Sequence, residues 1–164
     1  MITPVLTPPM HNQITIESHY DTTNQQYAII NTVRDVFFQH YRDPAFLQRV
    51  RESQPFNHTT ESPEVVANKI EHDTSTIKVG VFKPLWIFSR CIASTDIGTK
   101  TISFNKYKLS GANPAERVNT LMHEYIHTLG YTHDGNYNTA YNRATVPYRI
   151  GDMFVTYLED NDFI

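Results

Sequence analysis

One stretch constrains this chain more than any other: His123 to Asp134, reading HEYIHTLGYTHD. On a helix, His123 and His127 stand four residues apart, so their imidazoles lie on one face, a turn from each other. That spacing suits two nitrogen ligands on a single tetrahedral zinc. Glu124 follows the first ligand and is rotated to its side, where a carboxylate reaches a metal-bound water without ligating the metal. Gly130 then stops the helix, because glycine alone enters the left-handed C-terminal conformation cheaply. The chain turns there and brings His133 back as a third ligand. Three protein nitrogens leave a fourth position for water, which separates a catalytic zinc site from a structural one.

An HExxH run arises by chance in helices, whereas HExxHxxGxxH also demands Gly and His at fixed offsets. The plainer alternative, a helix carrying ordinary surface or core histidines, leaves the placement of Gly130 unexplained. The run resembles the zinc signature of metzincin metallopeptidases, and the trailing Asp134 is most similar to the adamalysin (reprolysin) branch. The resemblance covers the motif, the strand before it and the segment after it, and does not extend over the N-terminal part.

The resemblance implies an α+β, zincin/metzincin-like fold. Its mixed twisted sheet carries an active-site helix, and a short C-terminal subdomain follows. A single catalytic domain over 1–164 divides at about residue 130, with 131–164 as the smaller part. It also implies that the strand before the zinc helix, Thr101 to Asn105, borders the cleft and pairs with extended substrate. An open strand edge offers a peptide backbone donors and acceptors. Metzincins place a Met-turn beneath the zinc, often near a tyrosine. Here Val146-Pro147-Tyr148 supplies the turn, but methionine arrives only at Met153, which is either the Met-turn residue or helical core.

The activity implied is that of a zinc endopeptidase, with Zn2+ held by His123, His127 and His133 and with Glu124 as general base. Tyr148 is a candidate to hydrogen-bond the developing oxyanion, to ligate the resting metal, or simply to pack. Two competing functions stay open: a zinc-binding protein with little turnover, and a zinc amide hydrolase with a non-protein substrate. Deformylase-like sites pair two helix histidines with a cysteine, and coordination by Cys91 would favour that second alternative.

At 164 residues the chain is one domain with enough length for a real core, and its 40% hydrophobic and 12% aromatic content is that of a globular protein. A net charge of -3 gives no reason to expect nucleic acid or an anionic membrane as partner. Peptide or protein substrates and a monomeric state are the expectation. No apolar run approaches a transmembrane length, and the N-terminus lacks the basic start and apolar core of a secretory signal. The protein works inside a cell, leaves by a signal-independent route, or is preceded by a leader. Cys91 is the only cysteine, so an intramolecular disulfide is excluded, unlike in secreted adamalysins. Its apolar setting reads as that of a small buried hydrophobe.

Period-two patterning suggests a strand over Gln13 to Tyr20. Tyr27, Ile30, Val33, Phe37 and Tyr41 recur at helical spacing and predict a helix from Asn24 to Tyr41. Pro44 and Pro63 sit at the first positions of two shorter helices, ending near Arg51 and His72. Arg34, Arg42, Arg49 and Arg51 lie among acidic residues and read as a solvated mixed face. Strands follow over Ser75 to Ser94 and Thr101 to Tyr107, separated by a turn at Thr95 to Gly98. The zinc helix is predicted from Pro114 to Leu129 with Asn113 as N-cap, and a final helix over Ile150 to Leu158. Asp134 to Asn138 opens like a calcium loop but lacks its glycine and terminal glutamate. Asp134 is instead expected to accept hydrogen bonds that position His133.

Overall fold

The computed structural model describes residues 15–16, 23–83, 91–135 and 139–164. In chain order the elements are β1 (Thr15–Ile16), α1 (Asn24–His40), α2 (Pro44–Arg51), α3 (Pro63–His72) and β2 (Lys78–Phe82). Then come β3 (Ala93–Asp96), β4 (Thr101–Asn105), α4 (Lys106–Leu109), α5 (Pro114–Thr128), α6 (Ala140–Arg143) and α7 (Val146–Asp160). Helices and a small mixed sheet make this an α+β fold. The expected strand over Gln13 to Tyr20 is described only at Thr15–Ile16. Of the strands expected over Ser75 to Ser94, residues 84–90 lie outside the described residues.

Local chemistry sets the helix starts. Thr23 and Gln26 form a reciprocal capping box at α1. Proline occupies the opening turns of α2, α3 and α5, where a missing N–H costs no helical hydrogen bond. The last helix departs from expectation. Val146-Pro147-Tyr148 is no free turn but the first turn of α7, with Thr145 as N-cap and proline where a helix tolerates it. Met153 sits inside α7, partly buried against the core, so of its two readings the structure shows helical core.

The sheet order is β1-β2-β4-β3. β1, β2 and β4 run parallel, and β3 runs antiparallel to β4. This corrects the expectation for Thr101 to Asn105. Ile102 faces Val79 on one side and Thr95 on the other, so β4 is interior and has no open edge. Among the described residues the sheet edges are β1 and β3, and β3 is the one that lines the cleft beside α5. The physical reason is the short reversal between β3 and β4: a turn over 97–100 can only join antiparallel neighbours. Thr95 and Asp96, expected in that turn, close the strand instead. Asp96 Oδ1 starts the reversal by accepting from the Gly98 and Thr99 amides at 2.9 and 3.2 Å. β4 ends at Asn105 rather than Tyr107, because the Asn105 side chain caps α4 by accepting from the Tyr107 amide.

α5 lies at the centre, packed against α7, α1 and the strands β3 and β4. Tyr125 turns away from the histidine face and meets Phe37 and Tyr41 edge-on, with ring centroids 5.3 and 5.6 Å apart. Burying these rings fixes the rotation of α5 about its axis, and with it the direction in which His123 and His127 point. On the arginines the expectation holds in part. Arg34 pairs with Asp35, Arg49 with Asp160, and Arg51 with Glu71. Arg42 differs, because its guanidinium donates to the Ile70 and Asp73 carbonyls and satisfies the end of α3. Among the described residues no helix is long and apolar enough to cross a membrane.

Candidate metal centre

α5 begins as its sequence predicts. The Asn113 side chain accepts from the Glu116 amide at 2.8 Å, and the Glu116 carboxylate accepts from the Asn113 amide at 2.9 Å. The helix ends at Thr128, and Gly130 takes φ +94°, a conformation that L side chains rarely adopt. That reversal carries Tyr131 back under the helix and brings His133 up to the two helical histidines.

The three Nε2 atoms converge. His123 Nε2 is 3.2 Å from that of His127 and 3.2 Å from that of His133. Each remaining nitrogen has a backbone carbonyl partner. His127 Nδ1 meets the Tyr131 carbonyl at 2.7 Å, His133 Nδ1 meets Gly135 at 2.6 Å, and His123 is bonded to Pro147. A carbonyl only accepts, so each Nδ1 carries the proton and each Nε2 presents a lone pair. The short Nε2 contacts are therefore not hydrogen bonds, since neither atom has a proton to give. Three lone pairs aimed at one point repel one another unless a cation lies between them. A tetrahedral zinc with Zn–N of about 2.0–2.1 Å sets its nitrogens roughly 3.3 Å apart. The residues present fit such an ion, and the carbonyls supply the outer partners that orient ligating imidazoles.

Electrostatics favours the same state. Burial pushes His123 down to about 3, helped by its two histidine neighbours. Burial also lowers His127 and His133, opposed by their carbonyl partners. Neutral imidazoles, which ligate, are thus the resting form.

Glu124 is 8% exposed, and its carboxylate accepts from Thr95 Oγ1. Burial raises its pKa, while the Thr95 hydrogen bond and His133 pull the other way. The Tyr148 ring lies 4.5 Å from that of His123 and 4.7 Å from that of His133. Its hydroxyl is pushed up by burial and then by the nearby Glu124 and Cys91. These groups share a cleft of about 710 Å³ that follows β3 along its length. Every residue anticipated for the site, namely His123, Glu124, His127, His133 and Tyr148, lines it.

Two expectations change here. Cys91 is not a core residue; it is half-buried in the cleft wall, with its thiol on the Ala93 carbonyl. Burial and Glu124 raise its pKa, and among the described residues the converging ligand set is the three histidines without it. The Asp134 carboxylate is exposed, with His58 Nδ1 3.9 Å away. What pins the segment is its backbone, because buried Asn142 donates from Nδ2 to the Asp134 carbonyl at 2.7 Å. Thr95, Pro147 and Asn142 are the contributors that sequence reading missed. Two act on or through backbone carbonyls, which leave no mark on side-chain spacing, and Thr95 stood in a segment read as a turn.

No family model matches this chain, and comparison with curated proteins and with solved structures finds no match.

Proposed function

We propose that this protein is a zinc-dependent endopeptidase of metzincin-like fold, acting on extended peptide or protein substrates. The observation that carries the reading is the trio of imidazoles whose outer nitrogens are occupied by carbonyls and whose inner lone pairs converge. A buried carboxylate stands on the residue after the first of them. His123, His127 and His133 would hold the ion through Nε2. Bound there, zinc supplies a nucleophilic water near neutral pH and polarises the scissile carbonyl.

The chain's own groups do the rest. Glu124 takes a proton from the attacking water and returns it to the leaving amine. A carboxyl held in a buried setting suits both steps, because burial narrows the gap between its two protonation states at neutral pH. The Tyr148 hydroxyl donates to the oxygen that gains charge during attack. The edge of β3 pairs with the substrate backbone, a role transferred from β4 because β4 is already paired on both sides.

The test is cleavage of a diverse peptide mixture read by mass spectrometry. Zinc-loaded protein is run beside Glu124→Ala, with metal content measured in both. Cuts made only by the intact protein are expected, at equal zinc. Equal zinc without cuts from either points to a zinc-binding protein with little turnover, or to a non-peptide amide as substrate. Absence of zinc from both overturns the reading.

A further inference from the structure

We propose that Thr95 is a positioning residue for the Glu124 carboxylate, tying the general base to the strand that receives the substrate. The inference rests on the peptidase reading above. β3 alternates, with Ala93 and Thr95 turned inward and Ser94 and Asp96 exposed, so the Thr95 side chain faces α5. Its Oγ1 stands 2.5 Å from Glu124 Oε2 and 3.1 Å from the Glu124 backbone carbonyl. Both acceptors belong to one residue, so the hydroxyl fixes that residue's side chain relative to its own backbone.

A hydroxyl has one proton and two lone pairs. Facing an ionised carboxylate, Thr95 donates to Oε2. Once Glu124 has taken the proton of the attacking water, the carboxyl itself becomes a donor. The Thr95 O–H then turns to the backbone carbonyl and accepts from the carboxyl. When that proton passes to the leaving amine, the O–H turns back. The proton count closes, and only a hydroxyl hydrogen has to move. An alanine or valine at this position offers neither arrangement.

The location matters as much as the bond. Among the described residues β3 is the edge strand that lines the cleft, and a peptide paired to it takes its register from the strand's backbone. Thr95 links that same backbone to the base. The distance between scissile bond and carboxylate is thereby set by one residue rather than by two independently placed elements. Errors of about 1 Å in such an alignment cost on the order of 100-fold in rate.

The experiment compares zinc-loaded wild type, Thr95→Val and Thr95→Ser. Valine keeps the branched shape and loses the hydroxyl; serine keeps the hydroxyl. The expected result is kcat reduced about 10- to 100-fold in Thr95→Val with KM within about 2-fold. Zinc content stays equal, and Thr95→Ser recovers to within about 5-fold of wild type. A valine variant with wild-type kcat, or a serine variant as impaired as valine, overturns the proposal. Crystal structures of the zinc-loaded proteins give a readout independent of turnover. Glu124 is expected in one side-chain conformation in wild type and Thr95→Ser, and displaced or divided in Thr95→Val. An unchanged Glu124 in Thr95→Val overturns the positioning role even if wild type cleaves nothing, an outcome that sinks only the peptidase reading.

Discussion

The carbonyl of Tyr131 accepts from His127 Nδ1 at 2.7 Å across the reversal at Gly130. The Tyr131 hydroxyl in turn donates to Glu61, whose carboxyl is held below its usual range by Lys69 and by this same hydroxyl. One residue thus orients a candidate metal ligand with its backbone while its side chain anchors to the loop before α3. The arrangement requires the backbone of Gly130 at φ +94°, and a Cβ there would meet nothing within 4 Å. The penalty for Gly130→Ala is therefore conformational rather than steric. It should cost about 1–2 kcal/mol in thermal or denaturant unfolding. Zinc affinity should fall about 10-fold as the Tyr131 carbonyl shifts, measured by competition with a chromogenic chelator.

Glu124 is buried, and its carboxyl is raised by that burial. A raised carboxyl favours the folded state below the unfolded pKa and loses that contribution as pH rises through the folded value, so the ionised form is a burden at neutral pH. Glu124→Gln should abolish turnover and retain zinc. It should also raise the unfolding free energy of the metal-free protein at pH 7, by about 0.5–2 kcal/mol. Denaturant titration of the apo forms checks this, and a less stable Gln variant contradicts it.

The histidines set a second pH dependence. His123 is lowered from 6.5 to about 3 by burial, and His127 and His133 are lowered as well. Below pH 6.5 the unfolded chain takes up protons that the folded apo protein refuses, so stability is present above that value and lost on acidification toward about 3. Apo wild type should accordingly lose stability over this window more steeply than apo His123→Asn, followed by urea midpoints at several pH values.

Tyr148→Phe keeps the ring against His123 and His133 and removes only the hydroxyl. Zinc content and Tm should hold, while kcat falls about 100-fold, the scale of a lost oxyanion donor. A variant with full activity would assign Tyr148 to packing.

α7 carries Tyr148 to the site and packs close against α5 at Gly151. A Cβ there would stand 2.9 Å from Asn119 Oδ1 and 3.3 Å from the Asn119 carbonyl. Gly151→Val forces the helices apart and should destabilise by about 1–3 kcal/mol. Displacement of Tyr148 should lower kcat in the molecules that remain folded, which an activity measurement well below Tm separates from unfolding.

Much of this was legible in the sequence because it was local. Asn113-Pro114, Pro44 and Pro63 announce helix starts, and His123, His127, Gly130 and His133 announce the site through fixed offsets along one helix and its reversal. What escaped depends on partners far along the chain. The interior place of β4 follows from pairing with β2, which spacing within Thr101–Asn105 does not encode. Thr95 resembles a turn residue until α5 is brought beside it, 29 positions away. Asn142 and Pro147 act on backbone atoms or through their own, so their side-chain identities carry little signal.

The side of β3 that pairs with no strand among the described residues also bears on contacts between copies of this chain. A free strand edge accepts any extended backbone, including one from a neighbouring molecule, and long flat edges seed sheet-to-sheet aggregation. β3 is only four residues long, shows Ser94 and Asp96 to solvent, and ends at the Asp96 turn. Such brevity leaves room for a short length of peptide and too little for a stable intermolecular sheet, so the edge proposed to receive substrate is a poor template for aggregation.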